Sequence, residues 1–567
     1  MNPFGSTAEG WCNQCAQAGA SEGDTIGTPG GLMGTRTALI GLLLVFCMLP
    51  SSAQEQGAQP APPKTAFERN TQPIELFKTG LGGFTRPISS SNKEAQAFFD
   101  QGFQMMYAFA KPEAIRSFRE AWKRDPNCAI CYWGEAWAWG SYLNGPMSTD
   151  EAPHAYAAIQ KALALKDKQA SAKERAFIDA MAVRYVEKFD PEKRIDQDKA
   201  YAEAMGRVAD AYPDDLEAAT LHADALFLLE PRRGTRDIKS PSVQRLHRVL
   251  EQILAKDVRH PGACHLYVHA TESTVVPERA AACAEFLGKS IPGASHINHM
   301  PSHTWNEVGR WGDSVRANIE AWHSDQKAAI GEGFAIYPSH NLHMLLYAAS
   351  MDGQGAIAMQ AGKDYAKLTG DSFYQVLTMI RFGRFDEVLE VKNRPAGEIL
   401  GGLWDFSQGY AQLKTGNADF AKVYLDRVRK AADTSKATFR FHTAKQLLGT
   451  VAGILEGEIL WSAGDLAGAI AGFERAAAIE DELAYDEPEA LPFAARHWLG
   501  AALLEAKRYT DAERVYREEL ADHPHNGWSL IGLQKSLGGR GVTSAEVDAD
   551  LTQSWSRADT WIRTSRF

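Results

Sequence analysis

The sequence predicts an all-α fold, a superhelix built from stacked antiparallel helix pairs. Two histidine pairs recur at a fixed spacing, since His265 and His269 return as His299 and His303, 34 residues later in both cases. From Asn92 onward, apolar residues follow a helical period in segments of about 12 to 15 residues joined by short turns. A chain of 567 residues also exceeds what one compact core supports, so stacked repeats are expected.

Large and small apolar positions alternate in a way that defines the repeat unit. The first unit has these residues at the positions for large, small, large, small, large, small and terminal proline: Phe98, Gly102, Met105, Ala114, Phe118, Ala121 and Pro126. Two later units repeat the pattern through Gly457, Leu460, Ala469, Phe473 and Ala476, and through Gly500, Leu503, Ala512, Tyr516 and Pro524. Small residues let paired helices approach, and aromatic rings fill the space between turns.

The repeats set the predicted domain limits. The array is expected to cover residues 89–540, with a flexible linker rich in Gln, Ala and Pro before it, over residues 54–88. Residues 541–567 are predicted to form a terminal capping helix, because Val547 and Leu551 lie four residues apart on one helix face.

This pattern is that of the tetratricopeptide repeat (TPR), and the chain resembles TPR proteins, in particular a group of exported bacterial members. The second resemblance is carried by four stretches, His265-Leu-Tyr-Val-His-Ala-Thr-Glu272, His299-Met-Pro-Ser-His303, His340-Asn-Leu-His343 and Asn526-Gly-Trp-Ser-Leu530. It implies a TPR-type α-solenoid in which first-helix positions line a concave groove. It implies no particular activity.

The composition argues against a nucleic-acid-binding protein. Asp and Glu outnumber Lys and Arg by 71 to 60, the net charge is −11 and the pI is about 5.9. No basic cluster resembles a phosphate-binding surface. We therefore expect a peptide, a protein or a small molecule as the partner in the groove.

The N-terminal part of the chain predicts export. An apolar run of 12 residues begins at Ala38, and small residues follow it up to Ala53. Such a run is too short to span a bilayer and is typical of a cleavable secretory signal. We predict an N-terminal extension over residues 1–32, translation from Met33, and a signal peptide over residues 33–53. The mature protein should be periplasmic or extracellular, without a stable membrane span.

Four cysteines remain after signal cleavage, and an oxidising compartment allows them to form disulfides. Cys128 and Cys131 could be a redox motif or metal ligands, but without a strand-turn-helix context we favour buried cysteines or a local disulfide. Cys264 and Cys283 lie on the paired helices of one unit, which makes a disulfide between them geometrically possible.

The histidines indicate a metal site. Nine of the 16 lie between His260 and His343, and His265, His269 and Glu272 share one helix face. Equivalent positions of neighbouring units lie side by side in a solenoid. We therefore expect four imidazoles, with Glu272 assisting, to converge on one ion from the groove wall. The predicted ligands are His265, His269, His299, His303 and Glu272.

Imidazole nitrogens with one carboxylate suit zinc, copper or non-haem iron and do not suit calcium or magnesium. His340, His343 and Asp224 are second-rank candidates at neighbouring positions. The competing interpretation is that the histidines are structural, buried or hydrogen-bonded between helices. Pro301 removes a backbone donor, so the helix that carries His299 and His303 either starts near His299 or kinks there. Either arrangement would change the face on which His296 and His299 lie.

Other polar and aromatic residues are weaker candidates. His260, His296 and His323 lack a periodic partner and are interpreted as helix-surface or inter-helix residues. Trp133 and Trp137 could stack on a ligand, although aromatic residues at helical spacing more often belong to the core.

Three functional hypotheses follow. The first is an exported TPR-type binding protein with a histidine-rich metal site in its groove. The second is a metal-dependent enzyme, an oxidoreductase or a hydrolase, in which Glu272 acts as the general base. The third is a metal-free protein-interaction scaffold.

Overall fold

The structure, a computed structural model, describes residues 65–231 and 234–567. Both the predicted signal peptide and the N-terminal extension lie outside these residues. The described chain is all-α apart from one two-residue hairpin, and its helices run in chain order as follows: α1 Ala66–Asn70, α2 Lys93–Tyr107, α3 Lys111–Arg124, α4 Ala129–Trp139, α5 Ala152–Gln169, α6 Ala172–Ala182, α7 Arg194–Ala211, α8 Leu216–Phe227, α9 Pro241–Lys256, α10 Pro261–Thr271, α11 Ala281–Leu287, α12 Ser295–His299, α13 Pro301–Glu307, α14 Trp311–Ala328, α15 Pro338–Met351, α16 Gly355–Thr369, α17 Phe373–Arg381, α18 Phe385–Glu390, α19 Glu398–Lys414, α20 Ala418–Thr434, α21 Ala444–Ser462, α22 Leu466–Glu480, α23 Arg496–Glu505, α24 Tyr509–Asp522, α25 Gly527–Gly539 and α26 Ala545–Ser554.

Two short 3-10 helices, Pro191–Lys193 and Pro277–Ala280, interrupt this order. The hairpin pairs strand β1, Thr438–Phe439, with strand β2, His442–Thr443, in antiparallel register. None of the described helices is both long enough and apolar enough to cross a membrane.

Helices pack mainly against the helices that precede and follow them, which is the architecture of an α-solenoid. The predicted large and small positions explain the packing. The ring of Phe118 lies against Gly102 and Gly134, so that a Cβ on Gly134 would approach the ring to 2.4 Å. Tyr516 lies against Gly500 and Gly532 in the same manner. The all-α, TPR-type fold predicted from the sequence is therefore confirmed.

The segment before the array, predicted as a linker, makes specific contacts with the first helices where the structure describes it. Main-chain amides of Phe77 and Gly82 donate to the side chains of Gln101 and Gln104 on α2, at 2.8 and 2.7 Å. Gly80 approaches Gly293 so closely that a Cβ on Gly293 would lie 2.8 Å from its Cα. Residues 71–88 thus form an ordered strap, because the first helices bury these backbone contacts.

The C-terminal segment, predicted to cap the array, contacts helices that are far from it in sequence. The Asp559 carboxylate accepts hydrogen bonds from the first amides of α16, those of Gly355 and Ala356, at 2.7 and 2.9 Å. Further along, the Tyr410 hydroxyl donates to the carbonyl of Phe567 at 2.9 Å. Residues 555–567 therefore run from α16 back to α19 and tie distant repeats together.

Long-range contacts also close the superhelix on itself. The indole of Trp311 on α14 donates to the carbonyl of Pro524, and that of Trp528 on α25 donates to the carbonyl of Ser350, both at 2.8 Å. The apolar core has two parts, one within residues 74–336 and the other within residues 311–562. The histidine-bearing helices α10, α12, α13 and α15 lie where the two parts meet.

Candidate metal centre

Six histidines lie together in the interior and divide into two groups of three. The first group is His265, His269 and His296, and the second group is His299, His303 and His340. Within each group, one ligand nitrogen per residue lies within 4.8 Å of the others. Each group thus consists of a predicted pair, four residues apart on a helix, and one histidine from another helix.

The helix that carries the second pair continues through its proline. Met300 keeps helical angles of φ −52° and ψ −35°, so α12 and α13 follow one another with Pro301 at the start of α13. His296, His299 and His303 consequently share one face, since they are three and four residues apart. The sequence left open whether the helix starts near His299 or kinks there; the backbone has two consecutive helical segments, and the histidines do not diverge.

Five of the six histidines are buried, and His340 is half-buried. This differs from the expectation of an open groove wall. Phe109 packs on His265 with ring centres 4.1 Å apart, and Tyr337 packs on His296 at 5.2 Å. On the other side, Glu487 comes within 4.0 Å of His303 from the segment between α22 and α23. Side chains from distant repeats therefore enclose the site, and His340 marks its most open edge.

Contacts with oxygen atoms fix the orientation of four imidazoles, through hydrogen bonds for three of them and an ion-pair contact for His303. In the first group, Nδ1 of His265 lies 2.6 Å from the carbonyl oxygen of Tyr107, and Nδ1 of His269 lies 2.7 Å from a Glu272 oxygen. A carbonyl or carboxylate oxygen can only accept, so each Nδ1 carries a proton, and in a neutral imidazole Nε2 is then the lone pair. Neither Nε2 has a hydrogen-bond partner among the described residues.

The second group is oriented in the same way. Nδ1 of His299 donates to the side-chain oxygen of Asn318 at 3.3 Å, and the Asn318 amide is held in that orientation by its bond to Ser314, at 2.9 Å. Nδ1 of His303 contacts the second oxygen of Glu272. The Nε2 atoms of His299 and His303 then lie 3.0 Å apart, as two ligands of one ion would.

Glu272 links the two groups. Its two oxygens contact Nδ1 of His269 and Nδ1 of His303, one residue from each group. Burial opposes ionisation of Glu272, but the two imidazoles outweigh it and hold the pKa of this carboxyl well below its usual range. Carboxylates that accept from the second nitrogen of a ligating histidine are a common support of metal sites. Glu272 is placed as such a support would be, and it also belongs to a group with His269, His303 and Glu487 that could itself hold an ion.

The buried surroundings favour the neutral form of three of these histidines. Burial, followed by neighbouring imidazoles, lowers the pKa of His265, His296 and His299 well below the ordinary value. Burial also favours the neutral form of His303, but Glu272 outweighs it and raises the pKa of that histidine. Neutral imidazole is the form that binds metal.

The ring positions fit coordination of an ion. An imidazole bound at about 2.1 Å places its ring centre roughly 3.2 Å from the ion, so rings at near-tetrahedral angles lie about 5 Å apart. In the first group the three ring separations are 5.0, 5.0 and 6.2 Å, and in the second group they are 4.6, 4.7 and 5.8 Å. Neither group needs a rearrangement of helices to close on an ion.

His296 is a candidate ligand that the sequence analysis did not include. It was interpreted as a helix-surface or inter-helix residue, yet it is 1 % exposed and neither ring nitrogen has a hydrogen-bond partner among the described residues. The available signal was its spacing of three and seven residues from His299 and His303 on one helix. Glu487 was missed because its loop is far away in sequence.

Two second-rank candidates lie outside both groups. His343 is 3.3 Å from the Tyr374 hydroxyl and 3.0 Å from a guanidinium nitrogen of Arg440, which ties it to its own surroundings. Asp224 lines a small apolar cavity together with His265, and burial raises its pKa to about 6. Only His340 of the second-rank candidates joins a histidine group.

Several structural interpretations are confirmed. His260 caps the N-terminus of α10 by accepting from the amide of Ala263 at 3.1 Å, and His323 is exposed. Trp133 and Trp137 belong to the core. Both cysteine pairs are disulfides, and Cys264–Cys283 joins α10 to α11, with Cα atoms 4.9 Å apart.

No protein-family profile and no curated protein matches this sequence. Among solved structures, the chain is similar to the APC/C hetero-tetramer Cut9–Hcn1, with 12 % identity over 81 % of this chain and 76 % of that chain and a TM-score of 0.28. It is similar to a human IFIT1 dimer with m7Gppp-AAAA, with 10 % identity, coverage of 76 % and 90 %, and a TM-score of 0.29. It is also similar to the P58(IPK) TPR domain, with 11 % identity over 79 % of this chain and 98 % of that chain and a TM-score of 0.20. TM-scores this low carry no inference about partners or activity.

Proposed function

We propose that this chain is an exported TPR-type protein whose interior holds a transition metal through histidine side chains. The observation that carries the proposal is the orientation of four buried imidazoles, which each direct Nδ1 to an oxygen atom and leave Nε2 as the candidate metal ligand, with Nε2 of His299 and His303 3.0 Å apart. Leaving buried nitrogens such as Nε2 of His265 and His269 without a partner costs free energy. A bound metal ion would satisfy them.

The donor set favours zinc, copper or iron. Imidazole nitrogens form the groups themselves, and the nearby carboxylate is occupied with orienting His269 and His303. Calcium and magnesium require oxygen ligands, which these groups do not offer. Copper and zinc, which accept three imidazoles readily, fit best.

A metal-dependent enzyme is the best-supported form of this proposal. Three protein ligands leave a coordination position open for water or substrate, as catalytic sites do, whereas structural sites are saturated. The site is enclosed, so its partner would be a small molecule rather than a peptide lying in a groove. Access would be at the half-buried His340. Glu272 would orient ligands instead of acting as the general base, because both its oxygens contact imidazoles.

The alternative of a metal-free scaffold would leave the histidines as structural residues. A structural histidine ordinarily satisfies both nitrogens, as His523 does with Glu519 at 3.0 Å and Glu489 at 3.2 Å. His296 satisfies neither of its nitrogens within the described chain. This contrast within one protein favours the metal.

Elemental analysis of protein purified from an oxidising compartment tests the proposal. We expect stoichiometric transition metal in the unaltered chain and in the His323→Ala control, whose side chain is exposed. The double change His265→Ala with His303→Ala should abolish bound metal. Absence of any transition metal, both as purified and after reconstitution with zinc or copper, would contradict the proposal. N-terminal sequencing of exported protein should give Gln54 as the first residue.

A further inference from the structure

We propose that the interior holds two metal ions, one on each histidine group, as a dinuclear centre. This inference rests on the proposed function and deepens it. The first group would bind one ion through its three histidines and the second group would bind the other, with a small exogenous molecule bridging the two open positions.

The two groups are as close to each other as the members of each group are among themselves. Ring centres of His269 and His303 lie 5.2 Å apart across the groups, and those of His296 and His299 also lie 5.2 Å apart. Ions in dinuclear sites are ordinarily about 3.5–4 Å apart, bridged by a shared small ligand. Neighbouring groups at this spacing place two ions within reach of one bridging molecule.

Each group is complete without the other. A single ion on the four sequence-predicted histidines would leave His296 and His340 without a role. His296 lies within ligand distance of the first pair and His340 within ligand distance of the second pair. Three ligands per ion satisfy the minimum for a tightly bound transition metal, and two groups of three use all six histidines.

Glu272 supports both ions equally. One oxygen holds the His269 ring in the first group and the other holds the His303 ring in the second. The single negative charge, placed between two cations, also reduces their repulsion in a buried site. If only one group bound an ion, one of the two Glu272 oxygens would orient a histidine that binds no metal.

One competing arrangement uses the same residues differently. His269, His303, Glu272 and Glu487 also offer four ligand atoms within 4.8 Å of one another. A single ion there would take the Nδ1 atoms, and Nε2 of His269 would stay buried without a partner. His296 would then bind nothing. The dinuclear arrangement leaves neither residue stranded, so we favour it.

The surroundings define the bridging molecule. Aromatic rings of Phe109 and Tyr337 cover the first group, and the hydroxyls of Tyr337 and Tyr142 lie 2.7 Å apart. An adjoining apolar cavity is lined by Phe109, Trp137 and His265. An enclosed space with aromatic walls favours a small exogenous molecule, for which azide is the experimental probe.

Metal titration of the metal-free full-length chain with Cu⁺ and with Zn²⁺ separates the arrangements. We expect two ions per chain in the unaltered protein and in His323→Ala, and one ion per chain in His296→Ala and in His340→Ala. Glu272→Gln should weaken binding of both ions, by about 10- to 100-fold as for other supporting carboxylates.

A stoichiometry of one in the unaltered chain would overturn the dinuclear proposal while leaving a metal-binding function intact. The same holds if Glu272→Gln abolishes binding while His296→Ala and His340→Ala bind as much metal as the unaltered chain. Failure to bind any metal would instead remove the proposed function. Circular dichroism checks that each variant folds, and the conservative changes His296→Gln and His340→Gln replace any that does not.

Electron paramagnetic resonance of the Cu²⁺-loaded protein is the second readout. Two coupled Cu²⁺ ions should give a weak or broadened signal, and His296→Ala or His340→Ala should restore the sharp signal of an isolated ion. Azide should shift the absorption spectrum of the unaltered protein and bind at least tenfold more weakly to either variant. A sharp signal from the fully loaded unaltered chain would contradict adjacency of the ions.

Discussion

Nδ1 of His265 donates to the carbonyl oxygen of Tyr107 at 2.6 Å, across 158 residues of sequence. That carbonyl belongs to the last turn of α2, where helical carbonyls lack partners within their own helix. The end of one helix therefore orients an imidazole on another. Phe109, two residues after Tyr107, covers the same imidazole and has a left-handed backbone with φ 59°.

The backbone at Phe109 provides a first prediction. Phe109→Gly and Phe109→Ala both remove the ring from His265, but only glycine adopts a positive φ without strain. We expect the glycine variant to be more stable than the alanine variant by about 1 kcal/mol, measured by denaturant unfolding. Equal stability of the two variants, or greater stability of the alanine variant, would contradict a left-handed residue here.

Asp325 provides a pH-dependent prediction. It is buried and accepts from the Asn341 amide at 2.8 Å, and burial raises its pKa from 3.8 to about 7. The folded state thus holds the proton on Asp325 more tightly than the unfolded state does. The contribution of the protonated carboxyl to the free energy of unfolding is therefore complete below about pH 4 and is lost as pH rises through 7. Asp325→Asn should therefore raise the free energy of unfolding at pH 8 by roughly 2–4 kcal/mol and leave it almost unchanged at pH 4.

The exposed Asp214 is the matched control, since Asp214→Asn changes the same charge in solvent. Its unfolding free energy should follow the unaltered protein at both pH values. The difference in free energy of unfolding between Asp325→Asn and the unaltered protein should grow from pH 4 to pH 8. If this difference is the same at both pH values, the carboxyl is not held protonated in the interior.

The disulfide beside the site supplies a third prediction. Cys264–Cys283 closes a loop with a sequence separation of 19, whereas Cys128–Cys131 has a separation of 3. Changing both residues of the first pair to serine should lower the free energy of unfolding by about 3 kcal/mol, and the second pair by about 2 kcal/mol, because the longer loop loses more entropy when closed. Metal affinity should fall only with Cys264→Ser and Cys283→Ser, since α10 carries His265 and His269. An equal loss of affinity in both double variants would refute this positioning role.

The repeat packing gives a fourth prediction. A methyl group at Gly134 would approach the Phe118 ring to 2.4 Å, whereas a Cβ at Gly538, also in a helix, has nothing within 4 Å. Gly134→Ala should destabilise the protein by about 1–3 kcal/mol through overpacking. Gly538→Ala should stabilise it slightly, by up to about 1 kcal/mol, because alanine favours the helix. Thermal unfolding of the two variants should shift in opposite directions, and a shared direction would show that Gly134 is not a contact of the Phe118 ring.

The sequence by itself determined the repeat and the residues that carry it. Spacing placed Gly102 and Gly500 at small positions of the repeat and Phe118 and Tyr516 at large ones, and the structure brings each ring against the glycine of its own hairpin. The same local geometry paired His265 with His269 and His299 with His303, four residues apart on one helix face.

Tertiary structure alone decided how these pairs are completed. His296 and His340 join different pairs, Tyr107 orients His265 from another repeat, and Glu487 approaches from a loop between α22 and α23. The strap, the closing contacts of Trp311 and Trp528 and the C-terminal segment turned an expected open groove into an enclosed interior. Spacing within a helix is fixed by the backbone, whereas contacts between distant repeats depend on the accumulated curvature of the superhelix, which no local pattern encodes.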